Sequence, residues 1–231
     1  MDGRDLAGRK EERVSEEDER VSIRAHYERF PATVKGAFVL RGSDRDPHLV
    51  AIREARLVEA SGGGAQPIGL ASAVIDVAPH RDFFVPFEFA IAELEAGWYS
   101  LECEVDIDGS PAVMHPGKAF SVSWPRGTTR RGTLSIDRAV AADRGPKVQL
   151  EQVELTADAV RLQYAAEEPV DLRVFADDER LPLVAQEFDD RSGKGRVFTY
   201  PALRSHARLR IEVRAAGHPR SRPAEVDLDL P

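Results

Sequence analysis

The chain has 231 residues, 42% of them hydrophobic and 31% charged, with a formal net charge of −8 at pH 7. This is room for about two domains of roughly 100 residues, each able to bury a core. The single cysteine, Cys103, excludes an internal disulfide, no run approaches the roughly 18 apolar residues of a spanning helix, and the acidic balance argues against a nucleic-acid surface. The opening MDGRDLAGRKEERVSEEDER has no apolar core for a signal peptide. With no disulfide to form, a cytoplasmic location is expected.

Residues 1–20 mix both charge signs without an apolar stripe and read as a disordered tail. Val21, Ile23, Ala25 and Tyr27 then alternate with polar residues, as along a half-buried strand. Thr33–Leu40 is the next strand, with Phe38 and Leu40 for the core. Leu49–Glu59 fits a helix only if Glu54 sits in the middle of the apolar face. As a strand it carries Val50 and Ile52, then Ala55 and Leu57 after a slip in phase, and the surroundings favour strand. SGGGAQP at 61–67 is a turn, and Ile68–Val77 is apolar enough for a buried strand that Pro79 closes.

Phe83 to Ile107 is the stretch around which the first half is organised. Phe83, Val85, Phe87 and Phe89 share one face of a strand, and Tyr99, Leu101, Cys103, Val105 and Ile107 share one face of another. AELEAG joins them, with Gly97 at the corner. Leu94, Gly97, Tyr99 and Leu101 resemble the corner of immunoglobulin-like sandwiches. There a tyrosine near the start of a late strand folds its hydroxyl back onto the corner, two positions before an inward core residue. The resemblance covers about twenty-five residues and implies a fold of the immunoglobulin or fibronectin type III class, not a function. Leu101 stands where antibody domains have a cysteine, so that disulfide is missing. Asp108-Gly109 then suits a tight hairpin. Ala112–Met114 and Ala119–Trp124 form a last strand interrupted at His115-Pro116-Gly117.

Residues 126–132, RGTTRRG, read as a basic linker. Beyond it the strand rhythm resumes: Leu134 and Ile136; Val148 and Leu150, then Val153 and Leu155 across a bulge; Val160, Leu162 and Tyr164; Val170, Leu172 and Val174; Leu209, Ile211 and Val213; Val226, Leu228 and Leu230. Leu181–Phe188 and Arg196–Tyr200 fill the middle. The expected fold is all-β: two tandem antiparallel sandwiches at 21–125 and 133–231 behind a charged tail.

Chemistry is thinly signalled. The six histidines (His26, His48, His80, His115, His206 and His218) are scattered, without HExxH or a cysteine pair, so no metal site is implied. Cys103 falls in core phase and reads as a small apolar residue rather than a nucleophile. GxSxG and phosphate-loop patterns are absent, and no cofactor is implied. Asp106 with Asp108, Asp177 with Asp178 and Glu179, and Asp189 with Asp190 have spacings that calcium loops use, and that hairpin turns use more often. Trp98 should face away from the core, since Tyr99 faces into it. Such a tryptophan either anchors a partner or is covered by another part of the chain. Arg126, Arg130 and Arg131, with Arg138 nearby, form the clearest basic cluster, suited to a phosphate or an acidic partner. Arg204, Arg208 and Arg210 add positive charge later, the last two on an outward face.

The leading expectation is a non-catalytic interaction or assembly module that binds a protein, or copies of itself, through Trp98, Arg126, Arg130 and Arg131. A carbohydrate- or calcium-dependent ligand module is the second reading. An enzyme with its site in a cleft between domains is the third.

Overall fold

A computed structural model describes residues 20–29, 32–43, 45–70, 73–117, 119–143, 145–217 and 222–231. The expected tail, Arg20 aside, and His218 lie outside the described residues. Every regular element among the described residues is a strand. The first nine are β1 (Val21–Arg29), β2 (Thr33–Gly42), β3 (His48–Glu59), β4 (Ala65–Ile68), β5 (Ala73–Val77), β6 (Asp82–Ala90), β7 (Gly97–Ile107), β8 (Ser110–Met114) and β9 (Phe120–Val122). The rest are β10 (Gly132–Ala141), β11 (Lys147–Leu155), β12 (Val160–Ala166), β13 (Val170–Ala176), β14 (Glu179–Arg180), β15 (Leu183–Asp189), β16 (Lys194–Thr199), β17 (Arg208–Ala215) and β18 (Ala224–Asp229).

They build four sheets, with antiparallel ladders. One runs β1-β2-β6. A second runs β4-β3-β7-β8, with β5 also on β3 and β9 also on β7. A third runs β10-β11-β12-β16-β15 and a fourth β14-β13-β17-β18. The chain gathers into two compact units. One holds the described residues up to Leu57, those of 66–92 and those of 101–117. The other holds Val58–Ala65, Glu93–Ser100 and Ala119–Pro231.

In the first unit the period-two pattern delivers the core. Val21, Ile23, Val34, Phe38, Leu40, Val85 and Phe87 are buried from one sheet, and Val50, Ile52, Leu101, Cys103, Val105, Ile107 and Met114 from the other. β3 is a strand throughout. Its phase slips at the exposed pair Arg53 and Glu54, so that Ala55 and Leu57 return to the core. The stretch Ile68–Val77 is not one buried strand. β4 ends at Ile68, β5 begins at Ala73, and Val74 is 65% exposed. Gly69 stands just past the end of β4, and β5, whose one ladder partner among the described residues is β3, alternates between exposed Val74 and Asp76 and the more covered Ile75 and Val77.

In the second unit one hydrophobic cluster draws on both of its large sheets. Val148, Leu150, Val153, Leu162, Tyr164 and Val197 come from one; Leu172, Val174, Leu209, Ile211, Val213 and Val226 come from the other. The bulge expected in β11 is present, since the register shifts between Leu150 and Gln152.

Each half carries a strand glycine with aromatic rings over it. Gly36 of β2 pairs with Tyr27 of β1 and Phe87 of β6. Gly195 of β16 pairs with Tyr164 of β12 and Phe188 of β15, whose rings stack 6.2 Å apart. A Cβ on Gly195 would overlap the Tyr164 ring, and one on Gly36 would meet the backbone oxygen of His26 first and then the edge of the Phe87 ring. The missing side chain is what lets the rings close over the strand.

The corner between β6 and β7 is closed by Tyr99. Its hydroxyl donates to Glu95 O at 3.1 Å, and its ring, 6% exposed, stacks on Phe120. Tyr99→Phe keeps the ring and deletes the bond. The expected loss is about 1 kcal/mol, or roughly 2–4 °C in Tm, and an unchanged thermal melt would remove the corner bond from the account.

Candidate functional site

The arginine segment is a shaped turn in the second unit. Pro125, Arg126, Gly127 and Thr128 form a β-turn in which Thr128 N donates to Pro125 O at 3.2 Å. Gly127 takes φ +80° at the third position, a backbone that glycine adopts without steric cost. Thr129 then bridges to Leu203, Arg130 N donates to Ala202 O at 2.8 Å, and Arg204 N donates to Thr128 O at 2.8 Å. Two segments far apart in sequence, 125–131 and 202–206, are thus tied together by backbone.

The three arginines expected at a partner surface fall into two kinds. Arg126 and Arg131 are exposed, and no ion pair among the described residues engages them. Arg130 is half-buried. Its Nε donates to His206 O at 2.7 Å, its Nη2 to Arg204 O at 3.1 Å and its Nη1 to Pro231 O. A guanidinium has five donors, and three of these are spent on backbone oxygens. His206 completes the turn: Leu203 N donates to its Nδ1 at 3.0 Å, so the ring holds its proton on Nε2. A cavity of about 580 Å³ opens here, lined by Gly127, Thr129, Arg130, Arg131, Arg204 and Pro231.

Trp98 is half-buried in the same unit and points away from the Tyr99 face, as its phase requires. Its indole Nε1 donates to Asp158 O at 2.7 Å, in the turn between β11 and β12. Thr156 holds that turn by accepting from Asp158 N and Ala159 N. Trp98 N donates to the Tyr200 hydroxyl at 3.3 Å, and that hydroxyl donates to Glu59 Oε1 at 2.9 Å. Trp124 meets Tyr200 edge-on, with centroids 5.4 Å apart. Burial, with the Glu59 carboxylate adding to it, raises the Tyr200 phenol above its ordinary range. Glu59, Asp158 and Tyr200 carried no signal of this cluster in the sequence, because they come from three different turns and strand ends.

Several of the other candidate groups are bound up internally. Burial pushes the Cys103 thiol up to about 12, which leaves almost no thiolate at neutral pH. His48 Nδ1 lies 2.6 Å from Asp108 Oδ2, while Leu49 N donates to Asp108 Oδ1 at 2.9 Å. Asp106 pairs with Arg53 at 2.5 Å. Asp189 accepts from Ser192 Oγ and Arg191 N. Among the described residues no group of three or more His, Cys, Asp or Glu is placed to hold a metal ion, and no helix is long and apolar enough to cross a membrane.

Asp177 gives a pH prediction. It sits at φ +52°, a left-handed conformation that aspartate tolerates, and its Oδ1 accepts from Ala207 N and Arg208 N, both at 3.0 Å. Those two bonds, Ala207 first, hold its carboxyl below the usual carboxylate range. Its contribution is present above the unfolded value of about 3.9. It is lost as pH falls through the depressed folded value. Asp177→Asn is therefore expected to lower Tm at pH 7, with the gap closing as pH drops below about 4. A gap of constant size from pH 7 to pH 2 (chosen as the range of the melt series, about five units) would contradict it.

Comparison with known proteins is sparse. No family model and no curated protein matches the sequence. Among solved structures, a conserved domain protein from Bacillus anthracis is 11% identical, with 93% of this chain and 88% of that chain covered and a TM-score of 0.29. The titin Ig tandem domains are 10% identical, with 91% of this chain and 95% of that chain covered and a TM-score of 0.22. At these scores neither likeness carries an argument.

Proposed function

We propose that the protein is a non-catalytic interaction module made of two immunoglobulin-like sandwiches in tandem, at about 21–125 and 133–231, that binds an acidic protein partner. The strand order supports the fold. With β1, β2 and β6 as strands A, B and E, the other sheet of the first half reads C′, C, F, G as β4 or β5, β3, β7, and β8 or β9. The second half repeats it: β11, β12, β16 and β15 read A, B, E, D, and β14, β13, β17 and β18 read C′, C, F, G. The Tyr99 corner lies where that class has it, between E and F.

The function rests on one observation, because fold alone does not fix it. Arg126 and Arg131 stand exposed, engaged by no ion pair among the described residues, on a segment that backbone bonds hold in place. Fixed cations on a scaffold of net charge −8 are a local positive feature that an acidic surface recognises. Affinity purification of the tagged protein, beside its Arg126→Glu/Arg131→Glu variant, tests this. A stoichiometric partner that the variant fails to retain is the expected result. Equal recovery by both proteins overturns the reading.

A further inference from the structure

We propose that the cavity between the 125–131 turn and the 202–206 segment is an oxyanion site, which takes the carboxylate or phosphoryl group of an acidic segment of a protein partner. The proposal rests on the interaction-module reading and specifies its ligand. Three of the six residues lining the cavity are arginines, and no Asp or Glu among the described residues lines it. The three have different tasks. Arg130 is the fixed wall, its guanidinium held by backbone oxygens of His206, Arg204 and Pro231. Its charge stays in place while most of its donors face the backbone.

Arg131 and Arg204 are the ligand-facing pair. Both are exposed, and no ion pair among the described residues engages either. Their backbones are nonetheless fixed. Arg204 N donates to Thr128 O, Arg204 O accepts from Arg130 Nη2, and Arg131 follows a residue whose own N–H is bonded to Ala202 O. Two free planar forks on fixed backbone, beside a third immobile cation, match the two-pronged geometry of carboxylate and phosphoryl oxygens.

The opening, at about 580 Å³, has room for more than a lone ion, which suits an oxyanion carried on a peptide segment. Nucleic acid does not fit. Its recognition needs a basic track along many phosphates, and the rest of this chain carries the excess of negative charge.

The test is fluorescence anisotropy of three labelled peptides at fixed ionic strength: one with a run of glutamates, one with phosphoserines at the same positions, and one with glutamines. Saturable binding of at least one acidic peptide, and none of the glutamine peptide, is expected. Arg131→Glu and Arg204→Glu should each weaken it at least about tenfold, with thermal melts unchanged. Arg138→Glu, an exposed arginine away from the cavity, should leave it intact. The stronger of the two acidic peptides identifies the source of the oxyanion. No preference over glutamine, or equal loss in the Arg138 control, overturns the site. If the peptides fail while the partner is still captured in an Arg126- and Arg131-dependent way, the oxyanion site falls and the interaction module stands.

Discussion

Gly195→Val is expected to destabilise the protein by about 3 kcal/mol, which corresponds to roughly 6–12 °C in Tm. Backbone strain is not the cause, since Gly195 is absent from the residues of positive φ. The cause is space. Tyr164 lies opposite Gly195 across the β12–β16 ladder, and its ring occupies the place a Cβ would need. The ring cannot swing aside. Tyr164 is 0% exposed, stacks on Phe188, and has its hydroxyl in contact with Gln186 Nε2 at 3.3 Å. The clash thus becomes displaced core packing rather than a surface rearrangement. A double-mutant cycle checks the cause. With Tyr164→Leu in place, Gly195→Val should cost much less than it does alone, because the obstructing ring is gone. Additive losses would show that the two sites do not share the space.

Trp98→Ala is expected to cost about 2–3 kcal/mol and roughly 5–10 °C in Tm. The substitution removes a half-buried indole together with its bond to Asp158 O, and leaves that carbonyl without its donor. Trp98→Phe retains most of the packing and loses only the N–H, so its loss should be nearer 1 kcal/mol. The ordering of the three proteins in a thermal melt is the check. Trp98→Ala melting with the wild type would mean that the indole contributes nothing inside the unit. It would then be available to a partner, as an exposed tryptophan often is.

The strands were legible because alternation is a strong signal where one face is buried. Tyr99, Leu101, Cys103, Val105 and Ile107 are at most 6% exposed, and their spacing alone puts them on one side. Tyr99 was legible as well, since the corner needs only local sequence, from Leu94 to Leu101. The exposed side of β5 was not. An apolar run such as AVIDV looks the same whether a neighbour covers it or not.

At the arginines the sequence showed charge but not geometry. RGTTRR gives no sign that Arg130 differs from Arg126 and Arg131, because its acceptors are the carbonyls of residues far along the chain. Arg204 joins the site for the same reason. The Trp98 cluster is likewise assembled by long-range contacts, with Glu59 and Tyr200 meeting across 141 positions.

The most direct test of the account is the affinity of the purified partner for the wild type and for the Arg126→Glu/Arg131→Glu/Arg204→Glu variant, each measured across a salt series with Tm recorded in parallel. The account predicts wild-type binding that weakens steadily with salt. It predicts loss of at least about a hundredfold in the variant, and variant Tm within about 2 °C of wild type, since the three side chains make no bonds among the described residues. Undiminished, salt-independent binding by the variant would contradict it.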